Sequence, residues 1–154
     1  MDISLLEAVI GRNQVWVFCS RLPLPLSAFA IHCWFVIADR SNRLSRWEIW
    51  HTPIQCRHSW GYLHRNLFPV HWGIGIFPGC SLWRWSPRLL HYFDSPATDA
   101  LVKAIESTPT QYPYRYLYNA FPGPNSNSYI QWVLMRFSGD AMNLPLSAIG
   151  RNWF

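Results

Sequence analysis

Residues 28–51 read Ala28-Phe-Ala-Ile-His-Cys-Trp-Phe-Val-Ile-Ala38, then Asp39-Arg-Ser-Asn-Arg43, then Leu44-Ser-Arg-Trp-Glu-Ile-Trp-His51. The first run is aromatic and β-branched, which suits a pleated, buried surface. The second is polar, with Asp, Ser and Asn that favour turns. In the third, Trp47, Ile49 and His51 alternate with Arg46, Glu48 and Trp50, the period of a strand. Together they predict an antiparallel hairpin, with Ala28 to Ala38 as outgoing strand and Leu44 to His51 as return. The five-residue loop does not fix the register. Either Glu48 or His51 is therefore left to share a face with His32.

Outward from the hairpin, Gln14 to Phe18 reads as a further strand and Leu22-Pro-Leu-Pro-Leu26 as an extended entry, because proline drives its predecessor out of the helical region. Asp2 to Ile10 reads as a short helix that Gly11 ends. Thr52 to Val70 loses pattern and is expected to be loop with a short strand at most. His71 to Phe77 reads as a strand containing two glycines. Ser95-Pro96 suits the start of a helix that keeps spacing through Leu101, Val102 and Ile105 to about Ser107. Phe121-Pro-Gly-Pro124 is a rigid turn. Asn125 or Asn127 then caps a second helix, with Ile130, Val133, Leu134 and Phe137 on one face. Leu144 to Phe154 reads as loop. Helices and antiparallel strands mix without βαβ alternation, so the expected class is α+β, a small antiparallel sheet with packed helices.

The chain has 154 residues, half of them hydrophobic and 14% charged, with ten Trp, seven Tyr and nine Phe. That excludes intrinsic disorder and fits one domain over residues 1–154. No apolar run reaches the ~20 residues of a membrane-spanning helix. Met1-Asp2-Ile3-Ser4 lacks the basic start of a signal peptide, so a cytoplasmic location is the default expectation. Net charge is +5, carried by twelve Arg and the single Lys103. Seven of the Arg (40, 43, 46, 57, 65, 84 and 88) fall between Arg40 and His91 with Glu48 as the one acid. An anionic ligand at this Arg-rich middle is one reading and a solvated face is the other. Nucleic acid does not follow, because the charge is modest and no binding signature is present.

Chemistry is most concentrated at Tyr112-Pro-Tyr114 through Phe121-Pro-Gly-Pro-Asn-Ser-Asn-Ser-Tyr129. A rigid turn delivers polar residues onto a helix N-terminus, where free N–H groups and the helix dipole favour negative charge. Ser126 placed there would have oxyanion donors beside it; ordinary capping by Asn and Ser is the other reading of the same residues.

Three segments resemble an uncharacterised bacterial domain-of-unknown-function family: Ala30-Ile-His-Cys-Trp-Phe-Val36, the Tyr112-to-Tyr129 segment, and Leu144-Pro-Leu-Ser-Ala-Ile-Gly-Arg-Asn152. That family's pattern is a His-Thr-Trp-like strand, a Pro-Gly-Pro-Asn-Ser-Asn-Thr-Phe turn and a Leu-Pro…Ala-Ile-Gly-Lys-Asp tail. The chain departs from it at Cys33, Ser128, Tyr129 and Arg151-Asn152. The layout in turn resembles the circularly permuted papain-like fold of NlpC-type peptidases and lecithin:retinol acyltransferases. The resemblance implies a hydrolase or acyltransferase acting on an amide or ester, with a small-molecule, peptide or lipid substrate and no cofactor. Ser126 takes the place of the usual Cys nucleophile, His32 is the general base and Glu48 orients it. His51 is the other candidate for the orienting role. Asn125, Asn127, His51 and Tyr114 are the expected binding residues. Serine is less readily ionised than cysteine, so it needs the histidine to take its proton during attack. Cys33 cannot partner His32, because adjacent strand residues face opposite sides.

Other readings remain open on sequence. The fold could keep its groove without chemistry and bind an anionic or aromatic-stacking ligand. Cys56, His58, His64, His71 and Cys80 are types that hold zinc, though at no standard spacing, and no metal is assigned. Trp47, Trp50, Trp60, Trp72, Trp83 and Trp85, interleaved with Arg, are either core or a stacking surface.

Overall fold

The computed structural model describes residue 6 and residues 8–77, 83–138 and 142–154. Its centre is a five-stranded antiparallel sheet in the order β4-β3-β2-β1-β5. The strands are β1 Gln14–Arg21, β2 Ile31–Ala38, β3 Leu44–Cys56, β4 Ser59–Arg65 and β5 Arg88–Phe93. Two helices follow, α1 Thr98–Gln111 and α2 Ser126–Ser138. The fold is α+β, as the mixture of patterns predicts. Four strands form a meander, and β5 returns to the free edge of β1.

The hairpin register is Phe35↔Trp47, Val36↔Arg46 and Ala38↔Leu44. It sorts side chains onto two faces. Cys33, Phe35, Trp47 and Ile49 pack with Leu101 and Ile105 of α1 and with Tyr129, Ile130 and Val133 of α2. Trp16, Phe18, Trp34, Val36 and Ala38 form a second cluster on the opposite face, with Leu6 and Ile74 over it. Every residue of β2 is buried. A strand covered on both sides needs no polar alternation, which is why Ile31–Ala38 is a nearly continuous apolar run.

Several expectations change. β3 runs on to Cys56, and Ser59–Arg65 forms a seven-residue strand where loop with a short strand at most is expected. Gly61 hides that strand from pattern reading. It has φ +70°, and a Cβ there would meet the Arg115 carbonyl at 2.5 Å. Residues 71–77 form no strand, just an isolated bridge from Gly75 to Arg84. β5 is an element the sequence pattern did not suggest. Helix α1 starts at Thr98 with Ala97 at its cap; Ser95 contributes its carbonyl to the Thr98 N–H at 2.9 Å, not a side-chain cap. It also continues beyond Ser107 through Pro109. A proline removes an N–H from the helix; here the Thr108 hydroxyl donates to the Ile105 carbonyl at 2.6 Å, the acceptor Pro109 leaves unserved. The expected helix at Asp2 to Ile10 lies largely outside the described residues. No helix among the described residues is long and apolar enough to cross a membrane.

Candidate functional site

On the face away from the helices, β2 and β3 bring His32, Arg46 and Glu48 together. Nε2 of His32 lies 2.9 Å from Oε2 of Glu48. Arg46 Nη2 donates to the same oxygen at 2.8 Å, and its Nε sits 2.7 Å from Oε1 as an ion-pair contact without hydrogen-bond alignment. Arg46 and Glu48 are fully buried. Burying charge is costly unless paired and bonded. Here Arg46 also donates to the carbonyls of Pro69 and Trp72 and stacks 4.2 Å from the centre of the Trp34 ring. Planar guanidinium with five donors suits this multiple role better than a lysine ammonium.

Burial opposes charge on Glu48, but Arg46 and the bond from His32 outweigh it and hold the carboxyl below its ordinary value. Burial lowers His32, Glu48 raises it in part, and Arg46 and His51 lower it further; the net direction is down. An ionised carboxylate only accepts hydrogen bonds. A neutral His32 therefore carries its proton on Nε2, facing Glu48, and a lone pair on Nδ1. Among the described residues Nδ1 has no hydrogen-bond partner.

His32 forms part of the wall of a cavity of about 500 Å³. The walls are chiefly apolar and aromatic. Trp50 stands edge-on to His32 at 5.3 Å, and Phe68 stands edge-on to Trp50 at 4.9 Å. His51, Arg84 and Tyr118 supply polar groups. Arg84 lies 4.2 Å over the Trp72 ring. Of Glu48 and His51, Glu48 is the residue that reaches His32; the His51 ring packs on Trp50 at 5.0 Å.

Ser126 opens α2, and the polar run around it works mainly in the architecture. Asn125 is the cap: its Oδ1 accepts from the Asn127 N–H at 3.0 Å and the Ser128 N–H at 3.4 Å. Ser128 Oγ reciprocates on the Asn125 N–H at 3.2 Å, as in a capping box. Asn127 Nδ2 donates to the carbonyls of Ile31 and Ile149, each at 2.9 Å, and so ties helix, β2 and C-terminal segment together. The oxyanion donors expected at this helix end are thus largely engaged, since the Tyr129 N–H bonds the Asn125 carbonyl. Among the described residues the Ser126 hydroxyl has no hydrogen bond, to His32 or to any other group. Ser126 is 5% exposed. Alternation along β2 puts Cys33 on the α2 side and His32 on the other; the structure joins His32 to Glu48, and among the described residues no hydrogen bond joins Ser126 to either. Tyr114 is not among the residues that line the cavity; it packs edge-on to Trp153 at 4.8 Å and to Tyr112.

The Arg-rich middle is not one surface. Arg43 pairs with Asp39, Arg40 with Asp99, and Arg46 lies in the interior. Trp47 is buried and stacks on Trp60, while Trp50 faces the cavity. Among the described residues no three His, Cys, Asp or Glu are placed to hold a metal ion. His64 has both ring nitrogens engaged, by Ser59 and the Thr52 carbonyl. Cys80 lies outside the described residues. Arg46, Phe68 and Tyr118 are site residues that sequence reasoning did not single out. The one available signal was the i, i+2 spacing of Arg46 and Glu48, which places both on one strand face.

No curated protein and no solved structure matches the chain. A family model described as "Protein of unknown function (DUF3750)" matches residues 12–153, and the chain belongs to that family.

Proposed function

We propose that the cavity beside His32 binds a small organic molecule with an aromatic or apolar body and a hydrogen-bond donor directed at His32 Nδ1. The observation that carries this reading is the His32–Glu48 bond at the cavity wall. It holds the ring and, with Glu48 ionised, leaves Nδ1 as the acceptor of a residue that lines the cavity together with Trp50, Phe68 and Tyr118. An apolar pocket with few polar groups is the usual form of a small-molecule site. Arg84 and His51 suit an acidic substituent on the same ligand. Ligand-observed NMR with indole, phenol and benzoate as probes tests it. Saturable binding that is lost in both His32→Ala and Trp50→Ala supports the site. Binding that survives both variants overturns it.

A second reading is hydrolysis or acyl transfer, with Ser126 as nucleophile and His32 as base. One observation favours it: Asn125 rather than Ser126 caps α2, so the Ser126 hydroxyl is not consumed by the helix end. The tie from Asn127 to the Ile31 carbonyl also holds the first turn beside the residue that precedes His32. Attack would require the hydroxyl to reach Nδ1. A fluorophosphonate that labels the wild-type protein, but neither Ser126→Ala nor His32→Ala, supports this reading. Unlabelled wild type leaves the binding site as the function.

A further inference from the structure

We propose that a second cavity, at the shared end of β1, β2 and β5, is a binding site for a phosphoryl group carried on a small organic molecule. It is about 380 Å³ in volume, and its polar lining includes Arg21, Arg88, Ser27, Ser86 and Ser147, with Trp85 as an aromatic wall. Arg21 ends β1 and Arg88 begins β5; the register Cys19↔Arg88 sets the second guanidinium beside the first strand's end.

These two arginines differ in their charge partners from three others in the chain. Arg40, Arg43 and Arg46 each have a carboxylate partner. Among the described residues Arg21 and Arg88 have none, and no Asp or Glu lines the cavity. Arg88 instead lies by Cys19, where it opposes the upward push of burial on the thiol. Two cations lining one concavity without an acid repel each other unless an anion joins them. The hydroxyls add to the pattern. Ser27 is 8% exposed, and neither it nor Ser147 has a side-chain hydrogen bond among the described residues.

The donor arrangement selects the anion. Two guanidinium forks and three hydroxyls approach from separate segments, the β1 end, the β5 start, the turn at Ser27 and the C-terminal stretch at Ser147. A carboxylate offers two oxygens in one plane. A phosphoryl group offers three terminal oxygens in different directions and accepts charge-assisted bonds from arginine at about twice the strength of neutral ones. Trp85 then covers the attached organic part. This site uses Arg21, which lies outside the Arg-rich middle, and none of the residues at the His32 cavity walls, so it stands independently of the function proposed above.

Isothermal titration of the full chain with phenyl phosphate, inorganic phosphate and benzoate tests the assignment. Arg21→Gln and Arg88→Gln are the variants, and Arg57→Gln is the control for loss of one positive charge. Both arginines are exposed, so neither change opens the core. Saturable binding of phenyl phosphate is expected, weakened about tenfold or more in each cavity variant, the loss of one charged hydrogen bond. Arg57→Gln is expected to leave it within about twofold. Inorganic phosphate binding as tightly as phenyl phosphate would identify free phosphate as the occupant of the same site. Absence of saturable phosphate binding, equal weakening by Arg57→Gln, or benzoate binding that is as tight as that of phenyl phosphate and as strongly weakened by Arg21→Gln and Arg88→Gln overturns the proposal.

Discussion

Glu48 Oε2 accepts from both His32 Nε2, at 2.9 Å, and Arg46 Nη2, at 2.8 Å, so one buried oxygen joins a titratable ring to a permanent cation. Arg46 cannot shed its proton. Replacing Glu48 by Gln therefore leaves a buried guanidinium without a counter-charge. Breaking a buried pair from one side costs about 3–5 kcal/mol. Glu48→Gln is expected to lower unfolding free energy by that amount in urea titrations. A loss below about 1 kcal/mol, the range of an exposed pair, would mean that the network is hydrated.

The same network sets a pH dependence. His32 has its folded pKa below the ordinary value, mainly through burial. The unfolded chain then binds more protons than the folded chain, and stability rises with pH through that interval. The contribution is fully present above the ordinary imidazole value of about 6.5 and is lost as pH falls towards the folded value. Burial lowers His64 and His91 in the same sense. Glu48, also lowered, adds a second loss below the ordinary carboxyl range. Urea midpoints measured from pH 8 down to pH 4 should fall from about pH 6.5 downward. His32→Gln should flatten the upper part of that fall without abolishing it, because His64 and His91 remain.

The hairpin was legible because its polar turn separates two runs of strong strand formers. Its register was not. A five-residue loop tolerates more than one pairing, and a one-residue slip exchanges Glu48 for His51 on the face that His32 occupies. On sequence Arg46 does not stand out from the other arginines, because a fully buried arginine is rare. What buries it is a set of carbonyls from Pro69 and Trp72, contributed by a stretch without periodicity. β4 was missed because Gly61 interrupts the run, and β5 because Arg88 and His91 dilute a short apolar segment. In the Asn-Ser-Asn-Ser string, sequence located a helix start but could not divide the labour. Long-range bonds to Ile31, Ile149 and Gly150 decide that, and they join residues far apart in the chain.

That division of labour at α2 can be measured. Asn125 accepts two N–H bonds and donates to the carbonyls of Ala120 and Ile149. Loss of a cap alone costs about 0.5–2 kcal/mol. Asn125→Ala is expected to reach or exceed the upper end, because two carbonyls lose a donor as well. Ser126→Ala removes a hydroxyl without a hydrogen bond and should stay within about 0.5 kcal/mol of wild type. The reverse order in thermal or urea unfolding would assign the cap to Ser126 and remove it from consideration as a nucleophile.

Gly73 tests the segment that roofs the sheet face away from the helices. A Cβ at this position would stand 1.6 Å from the Trp85 carbonyl oxygen and 2.8 Å from its carbon. Both are backbone atoms, so no side-chain rotation relieves the clash. The neighbourhood is tied down on each side: Trp85 N–H bonds the Ile74 carbonyl at 3.0 Å, and Ser20 Oγ donates to the Trp85 carbonyl at 3.2 Å. Gly73→Ala must therefore push residues 72–76 away from residues 83–86. Ile74, which covers Phe18 and Trp34 and also lines the His32 cavity, moves with them. The expected cost is about 3 kcal/mol, the upper end for overpacking. The variant should also lose affinity for aromatic probes of the His32 cavity while α1 and α2 keep their helical circular dichroism. Unchanged stability together with unchanged probe binding would show that the two segments of this roof are not in contact at Gly73.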